Sequence, residues 1–377
     1  MTAALFWLSV ALLVHTYLGY PVVSWLLGRR RRVPGTAGRT PETTVTVVVA
    51  AHNEEAAIDE RLKNIFESDF PPRMIEVIVA SDGSTDRTEE IVSRWTDPRV
   101  RLLRLPRGGR ARAHNRAVSA AMGEIVVFTD ARTSFDREFL RRVTEPFSDP
   151  GMGCVVGRLV YVTKAGTVAE STGAYWWFET KLREWESGAG LLVVGSGCCM
   201  AIRRSLYREL RPDEDVDDAV PLDLVFHGHR VVFAPEAVAY DVPPATPGDE
   251  IRARARMTIL ALTAILRRRA LLNPLRFPGV AFALYSHRVL RSLTPGLLLG
   301  IFLTNVPLLG VAAFYRVTFA AQLCFYALAL LGWLGGKAGW TTPILRIPLS
   351  FCVWNIGFGA GLIRVVRGET VARYAPV

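Results

Sequence analysis

Acidic and amide side chains follow directly on three β-rich runs. Thr44-Val45-Thr46-Val47-Val48-Val49-Ala50 gives way to Ala51-His52-Asn53-Glu54-Glu55. Glu76-Val77-Ile78-Val79-Ala80 ends in Ser81-Asp82-Gly83-Ser84-Thr85-Asp86, and Glu124-Ile125-Val126-Val127-Phe128 ends in Thr129-Asp130. Each residue alone reads as a helix cap or turn former. Three strands delivering Asn53, Glu54, Asp82 and Asp130 at the same end suggest a shared site. Such a site would read hydroxyls and amides and hold a divalent cation. Leu105-Pro106-Arg107-Gly108-Gly109-Arg110 then leads into the predicted helix Ala111–Ala121. Glycines ahead of a helix N-terminus with arginines alongside suit a diphosphate. A second acidic run, Asp213-Glu214-Asp215 with Asp217 and Asp218, reads either as a solvated loop or as a source of a catalytic base.

The elements that must position these groups alternate. Ile58, Leu62 and Ile65 recur at helical spacing after the first strand, and a helix capped by Ser84 or Thr85 is expected to run through Arg94. Strands alternating with helices imply an α/β domain with a mostly parallel sheet and right-handed crossovers. In such sheets ligands bind beyond the carboxyl ends of the strands, where these polar residues fall.

The chain of 377 residues is 50% hydrophobic, and the apolar residues are clustered. Residues 1–28 carry no charge and precede Arg29-Arg30-Arg31-Arg32. Without a basic segment ahead of it, this run reads as an anchor helix rather than a cleaved signal. Ser292–Tyr315, Val317–Gly336 and Ile347–Ile363 are also uncharged, so three C-terminal spans are expected. The arginines place the polar domain in the cytoplasm, and Arg252, Arg254, Arg256 and Arg267–Arg269 agree at its far end. Counting spans puts the C-terminus outside, although Arg364, Arg367 and Arg373 pull the other way. The expected organisation is a transmembrane helix over 1–28, a basic linker over 29–42 and a catalytic domain over 43–250. Amphipathic interface helices over 251–291, transmembrane helices over 292–364 and a tail over 365–377 complete it. A net charge of +10 is explained by residues flanking the membrane, and no nucleic-acid motif is present. Cys154, Cys198, Cys199, Cys324 and Cys352 lack metal-ligand spacing and read as reduced structural residues.

The ordered motifs resemble family-2 glycosyltransferases with the nucleotide-diphospho-sugar (GT-A) fold. Within them the chain looks like the membrane-bound synthases of poly-N-acetylglucosamine, chitooligosaccharide, hyaluronan and cellulose. The resemblance implies that Ala50, His52, Asn53 and Glu54 contact the nucleotide, that Asp82 reads the base, and that Arg110 stands where a lysine is usual. Asp130 takes the first place of an Asp-x-Asp motif that would hold Mg2+ or Mn2+, but Arg132 replaces the second Asp. A guanidinium cannot ligate a cation, and Asp136 is the nearest substitute. Gly195-Ser196-Gly197 resembles the acceptor-side segment, and counting back from Gly228 puts Asp217 at the catalytic base, with Asp218 next to it. Arg254 and Arg256 remain from an eroded Gln-x-x-Arg-Trp motif on the donor side.

The expected function is therefore a membrane-bound, inverting glycosyltransferase of the inner cell membrane. It would move a hexosyl or N-acetylhexosaminyl group from a nucleotide sugar, expected to be a UDP-sugar, to a glycan or lipid-linked acceptor. The partners expected are the donor, the acceptor and the bilayer, with no nucleic acid. A non-catalytic nucleotide-sugar scaffold is the rival, and Arg132 is its best support. A transporter finds only Asn305, Gln322 and Asn355 inside the C-terminal runs, too few to line a path.

Overall fold

The computed structural model describes residues 1–29, 43–162, 173–243, 246–338 and 342–371. Arg30–Arg32 with the rest of the basic linker to residue 42, and residues 372–377 of the tail with Arg373, lie outside the described residues. One eight-stranded sheet has the order β3-β2-β1-β4-β7-β6-β8-β5. Its strands are β1 (Val45–Ala51), β2 (Ile75–Asp82), β3 (Val100–Leu105), β4 (Ile125–Asp130), β5 (Ser134–Phe135), β6 (Met152–Tyr161), β7 (Met200–Arg203) and β8 (Arg230–Asp241). β3, β2, β1 and β4 run parallel, while β7 is antiparallel to both β4 and β6.

β1 is hydrophobic without alternation because both of its faces are covered. Val45, Val47 and Val49 enter one apolar cluster with Ile58, Leu62 and Ile65 of the Ile58–Phe66 helix. Val48 enters the opposite cluster with Phe128, Met200 and Phe233. Each such side chain buried fully contributes on the order of 1.5–3 kcal/mol. The parallel register sets Ala50 beside Ala80 and Asp130, so β1, β2 and β4 end level with one another.

Among the described residues four helices are long and apolar enough to cross a membrane: Thr2–Gly28, Pro278–Leu308, Ala313–Lys337 and Ile344–Val366. The second starts well before Ser292, so Tyr285–Arg291 lie within one continuous helix that is a candidate span. The Pro247–Arg267 helix joins the sheet domain to this bundle, and the Pro343–Val366 helix packs along it. Close approach requires glycine there: a Cβ on Gly361 would come within 2.6 Å of the Ala255 carbonyl oxygen.

Buried polar contacts fix the domain to the bundle. The Tyr20 hydroxyl donates to Glu186 at 2.6 Å, His287 Nδ1 meets the same oxygen at 2.7 Å, and Arg291 donates to Glu179 at 3.0 Å. Glu179 and Glu186 lie on the Gly173–Ala189 helix, which is packed against both β8 and the N-terminal helix.

A cup of carboxylates and arginines at the strand ends

Asn53 terminates β1 in the left-handed region, at φ 57°, a setting that asparagine tolerates better than most residues. Its Oδ1 accepts from the Thr85 N–H at 2.8 Å, and its own N–H donates to Ser84 at 3.2 Å. Ser84 and Thr85 thus tie two loops together, and the helix begins only at Thr88. His52 Nδ1 lies 3.0 Å from the Asp82 carbonyl oxygen. Glu54 receives Arg132 at 2.9 Å, so the guanidinium that replaces the expected second Asp pairs with the opening motif.

Asp82, 5% exposed, accepts from the N–H groups of Gly108 at 2.6 Å and Gly109 at 3.0 Å, and from Arg107 at 3.0 Å. The acid at the end of β2 therefore shapes the glycine turn that opens the Arg110–Ala120 helix. Gly109, at φ +94°, makes the turn that puts the helix N-terminus and Arg110 toward the cup. Arg110 is ion-paired with Asp130. Behind this pair lies Arg61, 2% exposed, which donates to Thr129 Oγ1 at 2.7 Å and stacks over the Phe135 ring at 3.9 Å. Burial lowers its pKa to about 9, and the Asp130 charge opposes that shift. Sequence reasoning missed Arg61. Its signal was a charged residue at helical spacing among Ile58, Leu62 and Ile65.

Asp217 and Asp218 separate. Both stand in the first turn of the Val216–Phe226 helix, which Asp215 caps by accepting from the Asp218 N–H at 3.3 Å. The Asp217 carboxylate accepts from the Gly197 N–H, and Gly195 N donates to the Asp217 carbonyl at 2.7 Å. A Cβ on Gly197 would run into the Asp217 carboxylate, so glycine permits this approach. Burial pushes the Asp217 carboxyl upward; the Arg110 charge opposes this and the Asp130 charge adds to it. Asp217, Arg110 and Asp130 therefore occupy one electrostatic neighbourhood. Asp218 instead accepts from Arg288 of the Pro278–Leu308 helix at 2.6 Å. Ser196 contributes a hydroxyl 3.3 Å from Cys198 Sγ, and all five cysteines are free.

Arg254 donates to Glu250 at 2.7 Å and lies over the Trp354 ring at 5.4 Å, joining the connecting helix to the last span. Arg256, two residues on, lies on a different face of that helix. Asp136 accepts from the Glu138 N–H at 3.0 Å and starts the Phe139–Thr144 helix. A second acid that feels Asp130 is Asp241, at the end of β8. Burial raises its pKa to about 6, and the Asp130 charge adds to the rise. No motif marked it, because it comes from a strand far along the chain. Among the described residues no cluster of three His, Cys, Asp or Glu could hold a metal unaided. Asp130 and Asp241 carry hard oxygen atoms, the donor type that Mg2+ and Mn2+ take.

Residues 46–211 match the family model of glycosyl transferase family 2. A probable glycosyltransferase of Bacillus subtilis is 25% identical over 263 residues, covering 65% of this chain and 61% of its own length. A poly-beta-1,6-N-acetyl-D-glucosamine synthase of Staphylococcus aureus is 24% identical over 261 residues, 63% of each chain. This chain thus spans about three fifths of the length of these curated relatives. A solved mannosyltransferase from Pyrobaculum calidifontis, in complex with GDP-Man and Mn2+, covers 97% of this chain and 99% of its own. Its TM-score is 0.73 at 24% identity, a likeness of fold. The sheet and the four apolar helices together make a GT-A-like domain set against a candidate membrane bundle.

Proposed function

We propose, on the premise that residues 46–211 form a glycosyl transferase family 2 domain, that this chain is a multi-pass membrane glycosyltransferase with its catalytic domain in the cytoplasm. It moves a hexosyl or N-acetylhexosaminyl group from a nucleoside-diphosphate sugar to a glycan or lipid-linked acceptor, with inversion. What supports this reading is the Arg110–Asp130 pair at the open ends of the strands, together with Asp217, a buried carboxylate held by the Gly197 N–H, which feels both charges.

In this arrangement the loops of Asn53, Glu54 and Asp82 hold the nucleotide. The diphosphate lies against the N-terminus of the Arg110–Ala120 helix, where unpaired N–H groups and the helix dipole favour anions. Arg110 turns from Asp130 to the phosphates and offsets the charge that develops as the sugar leaves. Asp217 takes the proton of the attacking hydroxyl. Burial raises its pKa, which makes it a stronger base than an ordinary carboxylate, and the Arg110 charge opposes that rise. One base opposite the leaving group gives in-line attack. Asp130 and Asp241 would hold Mg2+ or Mn2+, which adds further neutralisation of the diphosphate when bound.

A scaffold reading draws on the Arg132–Glu54 pair, which takes the place of the missing second Asp. Release of nucleoside diphosphate separates the two. Purified full chain, given a panel that includes UDP- and GDP-sugars, is expected to liberate diphosphate with at least one donor. EDTA is expected to stop that release, and Mn2+ to bind, by electron paramagnetic resonance, only with the donor present. Full activity in EDTA would hand charge neutralisation to the arginines alone.

A further inference from the structure

The turn from β4 to β5 carries both Asp130 and Arg132, and the Ile58–Phe66 helix grips it at each end. At the start, Arg61 donates to Thr129 Oγ1 at 2.7 Å. At the finish, Asn64 Nδ2 donates to the Phe135 carbonyl at 3.0 Å, and the Phe135 N–H donates back to Asn64 Oδ1 at 2.7 Å. The same Oδ1 accepts from Arg61, whose guanidinium lies over the Phe135 ring at 3.9 Å. Arg61 and Asn64, three residues apart on one helix face, thus close a ring of contacts from β4 to β5. The grip reaches further, because Ser134 and Phe135 pair with Tyr240 and Ala239 of the strand that ends in Asp241. Between its ends the turn is tied to the opening loop by the Arg132–Glu54 pair.

Arg61 is a costly residue for this place. It is 2% exposed and has Ile58, Leu62 and Ile65 as its helical neighbours. Among the described residues no carboxylate lies within ion-pairing distance of it, and its Nε is sealed without an acceptor. An unpaired charge is expensive to bury, and an apolar side chain would fill the same space. Nor can Arg61 meet a ligand. Ile125 and Val127 enter the cluster beneath its helix, while Val126 and Phe128 enter the opposite one. By that alternation Thr129 faces Arg61, and Asp130 faces the other way, toward Arg110. What the guanidinium offers here is a hold on both ends of one turn.

We infer that Arg61 and Asn64 are positioning residues for the diphosphate site, keeping Asp130 in place when Arg110 leaves it for the phosphates. The inference rests on the transferase reading above. It gives a turn that lacks its second acid a separate means of presenting the first.

The test is equilibrium titration of the full chain in detergent with Mn2+ present, setting UDP, GDP and ADP each against its monophosphate. Wild type should prefer at least one diphosphate. T129V and N64A should weaken that diphosphate roughly tenfold, the scale of one lost bond to a charged group. The matching monophosphate should bind to them as it does to wild type. R61M should lose at least as much, and R61K should recover part of the loss. Variants that bind the diphosphate as wild type does overturn the inference. An equal loss on diphosphate and monophosphate also overturns it, because it makes these residues packing alone. Should R61M fail to fold, T129V and N64A decide the matter by themselves. Failure of the transferase reading shows differently, as a wild type that prefers no diphosphate to its monophosphate.

Discussion

Two sets of carboxylate–arginine pairs serve the sheet domain, and they differ in what surrounds them. At the strand ends, Glu54 pairs with a half-exposed Arg132, and a partly exposed Asp130 pairs with Arg110. Exposed pairs of this kind are worth about 0–1 kcal/mol and exchange partners readily, which suits residues that must turn to a ligand. In the acidic run, Asp213 pairs with Arg267 at 2.6 Å, and Arg268 holds both Glu214 at 2.8 Å and Asp223 at 2.6 Å. Arg288 holds Asp218 at 2.6 Å. Burial raises the Glu214 carboxyl, but the bonds from Arg268 and the Arg211 N–H outweigh it and leave the group below its ordinary range. These are latches to the connecting and spanning helices. Among the described residues the Asp217 carboxylate has no such partner and is held by a backbone N–H. On the transferase reading proposed above, a carboxylate left out of the latches is the candidate for proton transfer.

The sharpest way to break this contrast is to exchange the two neighbours. Asp217→Asn keeps the shape and removes the base, so transfer should fall at least 10²-fold, within the roughly 10²–10⁴-fold typical of general bases. Affinity for the donor should survive, because other strand ends hold it. Asp218→Asn should cost thermal stability through Arg288 and leave the rate within a few-fold. A dead Asp218→Asn beside a live Asp217→Asn would reverse the roles. Normal transfer by both would place the base elsewhere.

The latches themselves predict a loss of stability rather than of rate. Arg268→Ala leaves Glu214, 5% exposed, without its main partner. Removing one member of a buried pair typically costs about 3–5 kcal/mol. Here Asp223 is partly solvated, so about 2–3 kcal/mol is expected, read as a lowered melting temperature of the full chain. No change in melting would show that the acidic run is a solvated loop after all.

On the donor side the pairs act through loop shape. Asp82→Ala frees the Gly108–Gly109 turn, and donor affinity should fall roughly 10- to 100-fold, as expected for losing charge-assisted bonds of about 1.5–3 kcal/mol. Equilibrium titration with nucleoside diphosphate checks it. Unchanged affinity would leave Asp82 as a turn cap alone.

Much of the donor half was legible in the sequence because it is local. β1, β2 and β4 announce themselves as unbroken β-branched runs, and their polar residues follow without a gap. Ser84 and Thr85 were misread as helix caps because their partner, Asn53, is some thirty residues away. The acid–arginine latches were illegible for the same reason, since Asp218 and Arg288 are seventy residues apart. The start of the second span at Pro278 was obscured by His287, Arg288 and Arg291. Their charges look like surface residues until Asp218, Glu179 and Glu186 are seen opposite them. Asp241 had no motif and no charged neighbour in sequence, and only the closure of β8 against the rest of the sheet reveals it.

Asp241 supplies the smallest effect and the one with the clearest sign. Its pKa rises from 3.8 to about 6 because burial disfavours the charged form, with the Asp130 charge adding to the rise. Between those values the folded chain binds more protons than the unfolded one, so stability falls as pH rises through that window. Above pH 6 the full penalty applies; below 4 it vanishes. Asp241→Asn keeps an acceptor for the Val242 N–H, which donates to Asp241 at 2.7 Å, and removes the charge. A tenfold change in proton affinity corresponds to about 1.4 kcal/mol. After screening, the variant should therefore be more stable than wild type at pH 7.5 by on the order of 1–3 kcal/mol. The two should melt together at pH 4. Such a gain identifies a carboxylate kept at a cost to folding, as expected of a group that meets a cation beside Asp130 in the donor complex. Identical melting of both proteins at both pH values would place Asp241 in water and remove it from the site, leaving Asp130 alone to face the diphosphate.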